Sequence, residues 1–160
     1  MPIIALSTSN PLIDGRQSDR ALDIRFGIER RFDEMGHATL PELCLRDGRR
    51  ADLVAICPKG RITIVEIKSS VADFQADTKW RDYLDHCDQF YFATLADVPA
   101  HIFPKDKGFL VADRYGCEVV READAEPVSA ARRKDVHLRF ARQAAQRLRR
   151  AEHHGLETRP

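Results

Sequence analysis

One mixed α/β domain, with a central sheet covered by helices on both faces, is the fold class that this sequence predicts. Three observations lead to it. Segments of helical periodicity alternate with β-rich segments in the order helix, three strands, helix, strand, hairpin, helix. Strand segments such as LVAI, ITIV and FYFATL are largely apolar at successive positions, as expected where both faces of a sheet are covered. A chain of 160 residues that is 43% hydrophobic can bury one core. The expected organisation is an irregular arm over residues 1–17, a domain over 18–153 and a short tail over 154–160.

The arm holds two prolines, a glycine and several Ser, Thr and Asn without periodicity. A first helix follows, with Ser18 as cap, Gly36 as terminator and Ala21, Leu22, Phe26, Ile28 and Phe32 as its apolar stripe. Residues 39–45 read as a strand, and Asp47-Gly48 as a hairpin turn into RRADLVAIC. Pro58-Lys59-Gly60 is a second turn, with glycine where a three-residue loop needs a left-handed residue, leading into RITIVEIK. From Ser70 to His86, Phe74, Trp80, Tyr83 and Leu84 return to helical spacing. QFYFATL, GFLVAD and GCEVVRE read as strands, the last two joined through Arg114-Tyr115-Gly116. A basic helix is expected over residues 130–153.

Charge is uneven along the chain. Residues 129–160 hold nine Lys or Arg against three acids, whereas the whole chain holds 26 against 25. The basic helix suits either phosphate contact or a solvated face. Cys44, Cys57, Cys87 and Cys117 never form a C-x-x-C pair, which excludes zinc-ribbon and thioredoxin-like patterns and leaves free thiols as the expectation. No run of about 18 apolar residues is present, and the opening residues lack a signal-peptide pattern, so no membrane association is expected and the cytoplasm is the expected compartment.

Residues two apart on a strand project to one face, so Glu66 and Lys68 share a face. With a Pro58–Gly60 loop, Cys57 opposes Arg61, and counting outward sets Asp52 opposite Glu66. A bulge would slip this register by one residue and dismantle the cluster. Two carboxylates and an ammonium on one sheet face suit phosphodiester chemistry. Asp52, Glu66 and the Ile67 carbonyl would hold Mg²⁺ or Mn²⁺, while Lys68 would position water or stabilise the added negative charge. The acid-x-Lys tripeptide alone is weak evidence, since Asp77-Thr78-Lys79 is a second match. The alternative is that all three are ordinary charges at strand ends.

RRADLVAI, IVEIKSS, DFQADTKW with Tyr83, and CDQFYFA together resemble the MmcB family of bacterial DNA repair proteins, over roughly residues 18–120. The resemblance implies a restriction-endonuclease-like core of the PD-(D/E)XK superfamily, with Asp52, Glu66 and Lys68 as the metal site. It further implies a DNA endonuclease or exonuclease acting in repair, associated with the nucleoid. Ala51 stands where the superfamily's name has proline. An acid on the first helix often joins such sites, and Glu29 is the matching candidate, although Arg25, one turn earlier, could simply neutralise it.

Lys79 and Tyr83, on one helical face, are candidate DNA contacts, with a core role as the alternative for Tyr83. Arg49 and Arg50 could hold the DNA backbone or only solubilise a turn. Trp80 reads as core, and His153-His154 as surface. A non-catalytic nuclease-fold module that binds nucleic acid or a repair partner is the competing reading, and a homodimer or recruiting partner is expected to enlarge the small surface available for substrate.

Overall fold

The computed structural model describes residues 17–157, with side chains to residue 155; the expected N-terminal arm lies almost wholly outside the described residues. The elements are α1 (Asp19–Glu34), β1 (Ala38–Cys44), β2 (Arg50–Ile56), β3 (Ile62–Ile67), α2 (Val71–Ala76), a 3-10 helix (Trp80–His86), β4 (Gln89–Thr94), a 3-10 turn (Ala100–Ile102), β5 (Gly108–Asp113), β6 (Gly116–Arg121) and α3 (Ala130–Glu157). The strands form one mixed sheet in the order β1-β2-β3-β4-β5-β6. β1, β2 and β3 are a meander, β3, β4 and β5 run parallel, and β6 returns antiparallel to β5. Helices on both faces make this the α/β architecture expected from the apolar strands. No helix among the described residues is long and apolar enough to cross a membrane.

One face is covered by α1, whose Ile24, Ile28 and Phe32 pack on Leu53, Ala55, Val65, Tyr91 and Leu110. Ser18 caps this helix as expected, its Oγ accepting from the Ala21 N–H at 3.2 Å. The buried stripe is rotated from the expected one: Ile24, Arg25 and Gly27 are buried, and Phe26 is not. Gly27 explains the rotation, because a Cβ there would lie 1.9 Å from the Asp113 carbonyl oxygen. The helix touches the β5–β6 hairpin backbone at this point, and no apolar side chain marks the contact in sequence.

The other face is covered by α2, the 3-10 helix and α3. Phe90, Phe92, Phe74, Trp80, Phe103 and Phe109 form a chain of ring contacts with centroids 4.7–5.7 Å apart. Trp80 therefore fills core. The single helix expected over residues 70–86 is broken at Asp77, whose extended backbone ends α2. The Asp77 carboxylate accepts from the Lys79 N–H at 2.8 Å and from Lys68, which a continuous helix would prevent. All four cysteines are free thiols.

α3 runs beyond the expected His153 to Glu157 and guards the β1 edge. The Gln143 side chain accepts from the Cys44 N–H at 3.0 Å and donates to its carbonyl at 2.9 Å, while Arg147 donates to the Pro41 and Glu42 carbonyls. These bonds occupy edge groups that would otherwise invite another strand. The other end of α3 is held by Asp88, which is 3% exposed. Its carboxylate accepts two bonds of 2.6 Å from Arg133, one of 2.7 Å from the Ile62 N–H and one of 3.0 Å from the Val128 N–H. Asp88→Ala strands a guanidinium and two amides at once and should cost about 3 kcal/mol, read as a lower urea midpoint at unchanged m-value.

Candidate functional site

Gly60, at φ +85°, closes the β2–β3 hairpin; its N–H donates to the Cys57 carbonyl at 2.8 Å, and the Cys57 N–H donates to the Arg61 carbonyl at 3.1 Å. The ladder then runs Ile56↔Ile62, Ala55↔Thr63, Val54↔Ile64 and Leu53↔Val65. Its next step sets Asp52 against Glu66, the register counted from the sequence. Here the ladder gives way to side chains. The Asp52 N–H donates to Glu66 Oε1 at 3.1 Å, and the Ile67 N–H donates to Asp52 Oδ2 at 2.8 Å. Each strand's carboxylate thus satisfies the other strand's amide where the two part, which locks both acids at the fork.

Lys68, two residues on, is 6% exposed and Glu66 is 4% exposed. The Lys68 Nζ lies 2.6 Å from Asp77 Oδ2 and 4.0 Å from Glu66 Oε2. Burial pushes the Asp52 carboxyl up to about 6, against the pull of the Ile67 N–H and Lys68. Burial and the adjacent charge of Asp52 hold Glu66 well above the usual carboxylate range. Burial works against a charged Lys68, but the Asp77 hydrogen bond and the charge of Glu66 outweigh it and raise its pKa. The counterpart is Asp77: burial disfavours its charge, yet the bond from Lys68 and those from the Lys79 and Trp80 amides hold it below the usual range. The site is a largely buried patch in which the charge of Asp52 acts on Glu66 and a fixed ammonium offsets the acids in part.

The structure brings together Asp52, Glu66, Ile67, Lys68 and Tyr83. The Tyr83 hydroxyl donates to the Arg50 carbonyl at 2.9 Å, and burial, together with the charges of Glu66, Asp52 and Asp77, raises its pKa. Tyr83 is thus half-buried between the core and the acids. Lys79 is exposed on the turn before the 3-10 helix. Arg49 turns to Asp82, its Nε 2.6 Å from Oδ2, and Arg50 lies 3.7 Å from Glu42. Glu29 is not brought to this cluster: it pairs with Arg25 at 3.3 Å and lines a groove with Phe26, Asp33, Arg114 and Tyr115. The register of α1 decides this, because Ile24, Gly27 and Ile28 take the buried face and Glu29 stands off it beside Phe26.

Two acids that sequence reasoning passed over belong to the site. Asp77 was visible only as the acid of a competing acid-x-Lys match, yet it fixes Lys68. Glu42 sits between the pairs Pro41↔Leu53 and Leu43↔Ala51, opposite Asp52, so Glu42, Asp52 and Glu66 occupy one row across three strands. Its φ of +55° costs a non-glycine residue about 1 kcal/mol or more, and no sequence signal announces it. Its charge adds to the pressure that raises the Asp52 pKa.

A family model described as DNA repair protein MmcB-like matches residues 8–155. Among solved structures, the SPO1766 protein of unknown function from Silicibacter pomeroyi is similar, with a TM-score of 0.79 and 38% identity over 82% of this chain and 90% of that one. None of the curated proteins matches. A family match across the whole sheet, both cores and the Asp52–Glu66–Lys68 cluster means that the chain belongs to the MmcB-like DNA repair protein family.

Proposed function

We propose that the chain is a divalent-metal-dependent nuclease of the restriction-endonuclease-like kind, cutting DNA phosphodiesters in repair. The observation that carries the reading is the fork, where the half-buried Asp52 lies against the buried Glu66 with Lys68 beside them. Paired buried acids are costly, and a cation bound between them would remove their repulsion. The donor set fits: Asp52 Oδ2 and Glu66 Oε1 are engaged by backbone amides, which leaves Asp52 Oδ1 and Glu66 Oε2 for a ligand. Among the described residues no three His, Cys, Asp or Glu side chains converge to hold an ion. A site of two carboxylates, the Ile67 carbonyl and water suits Mg²⁺ or Mn²⁺, which would supply Lewis acidity and an acidified water. Lys68, clamped by Asp77, holds its charge where an attacked phosphate gains negative charge, and its fixed position avoids reorganisation during the reaction. Lys79 and the basic face of α3 provide cations for the DNA backbone.

Cleavage of a panel of duplex, branched and single-stranded DNA should need Mg²⁺ or Mn²⁺. It should fall to background in Asp52→Asn and Glu66→Gln, and by about 100-fold or more in Lys68→Ala, all three retaining wild-type circular dichroism. Cutting that persists in chelator and in all three variants refutes the assignment. If the fold only binds DNA, titration calorimetry with Mg²⁺ shows no heat that Glu66→Gln removes, while DNA affinity keeps a steep salt slope.

The raised carboxyls give a second test. A group whose folded pKa exceeds its ordinary value binds its proton more tightly in the folded state, so it favours folding at low pH. That contribution is lost as pH rises from 3.8 through about 6 for Asp52. Metal-free protein should therefore lose urea stability across this window, and Glu66→Gln should be more stable than wild type above it. Mg²⁺ affinity should weaken as pH falls through about 6, because the proton competes with the ion.

A further inference from the structure

α3 uses one face to hold the domain and leaves another without a partner among the described residues. Val136, Phe140, Gln143, Ala144 and Arg147 face the body. On a different side lie Lys134, Leu138, Ala141, Ala145, Leu148 and Glu152, spaced four, three, four, three and four residues apart. That is the a/d spacing of a coiled-coil seam, carried here for two and a half heptads. Leu138 is 57% exposed and Leu148 is 62% exposed, and Ala141 and Ala145 between them are exposed too.

The seam reads the same in both directions. Reversed about Gln143, Leu138 exchanges with Leu148, Ala141 with Ala145, and Lys134 with Glu152. A second copy of the helix laid antiparallel therefore meets leucine with leucine and alanine with alanine, and a lysine meets a glutamate at each end. The row flanking the seam, whose facing partners in an antiparallel pair are centred one residue earlier, at Arg142, agrees: Asp135, which also holds Arg139 of its own helix, faces Arg149 of the other copy, so each copy adds a further opposite-charge pair. Arg142, near the axis, meets its own copy, one like-charge contact against four complementary ones. The central alanines allow close approach of two helix backbones while the leucines close the ends. DNA would use the arginines of this helix but has no use for the leucine-alanine stripe or for Glu152.

We propose that this face of α3 is a self-association surface, on which two copies of the chain pair through antiparallel α3 helices about a two-fold axis near Gln143. The inference does not depend on the nuclease reading. An isologous contact of this kind buries the same patch on both copies. With one helix face per copy it lies at the small end of specific interfaces, so the dimer forms reversibly with a dissociation constant in the micromolar range.

Sedimentation equilibrium of the full chain from roughly 5 to 500 µM should show a monomer–dimer equilibrium. Leu138→Glu with Leu148→Glu should leave a monomer throughout, with unchanged circular dichroism and melting temperature because both side chains are exposed. Lys134→Glu or Glu152→Lys alone should weaken the dimer severalfold, and the two together should restore it, since the reversed pair is complementary again only in the antiparallel arrangement. A wild-type chain that stays monomeric at every concentration, as it would if the face seated DNA or another protein, overturns the proposal. So does association that survives the leucine changes, or a charge reversal that fails to restore it.

Discussion

The turn at Gly60 is the constraint on which the rest of the molecule depends. Its left-handed backbone lets three residues close the β2–β3 hairpin, and hairpin length sets the register of every pair beyond it. A slip of one residue would send Asp52 to the far side of the sheet. The same turn seats α3, because the Gly60 carbonyl accepts from Arg133 at 3.2 Å and is 2.8 Å from His137 Nε2. A Cβ on Gly60 would also come within 3.2 Å of the His137 ring. One small residue thus sets the site and anchors the helix that guards the sheet edge.

Stability and chemistry pull against each other at the fork. Most of the sheet is satisfied by apolar burial and backbone ladders, and the polar hub at Asp88 is fully paired. The Asp52–Glu66 pair differs, since burial raises the pKa of both and the charge of Asp52 raises that of Glu66 further. Such an arrangement persists only because Gly60, the strand register and the crossed amide bonds over-determine it. Perturbed acids held this way are what a cation site needs and what a purely structural strand end avoids.

α3 links the two features that give the domain its surroundings. Toward the body it supplies Gln143 and Arg147 to the open edge of β1, close to Glu42 and the acid row. Away from it, the helix shows arginines beside a palindromic apolar seam. Edge protection, basic charge and the proposed self-association are thus assigned to different sides of one helix, which a 28-residue element has room for.

Much of the architecture was legible in the sequence because it rests on local rules. Apolar runs gave the covered strands, Ser18 the start of α1, and Pro58-Lys59-Gly60 the hairpin, from which Asp52, Glu66 and Lys68 could be set side by side by counting. What escaped depends on contacts between distant segments. The rotation of α1 that carries Glu29 away from the acids follows from the approach of Gly27 to the Asp113 carbonyl. The break after α2 follows from Asp77 binding Lys68, and the entry of Glu42 into the acid row follows from a left-handed backbone on a residue that rarely adopts it. The sequence alone determined which residues could share a face, because side-chain periodicity is a property of the strand itself. Tertiary structure decided which neighbours each charge meets, because that depends on how helices from elsewhere in the chain settle on the sheet.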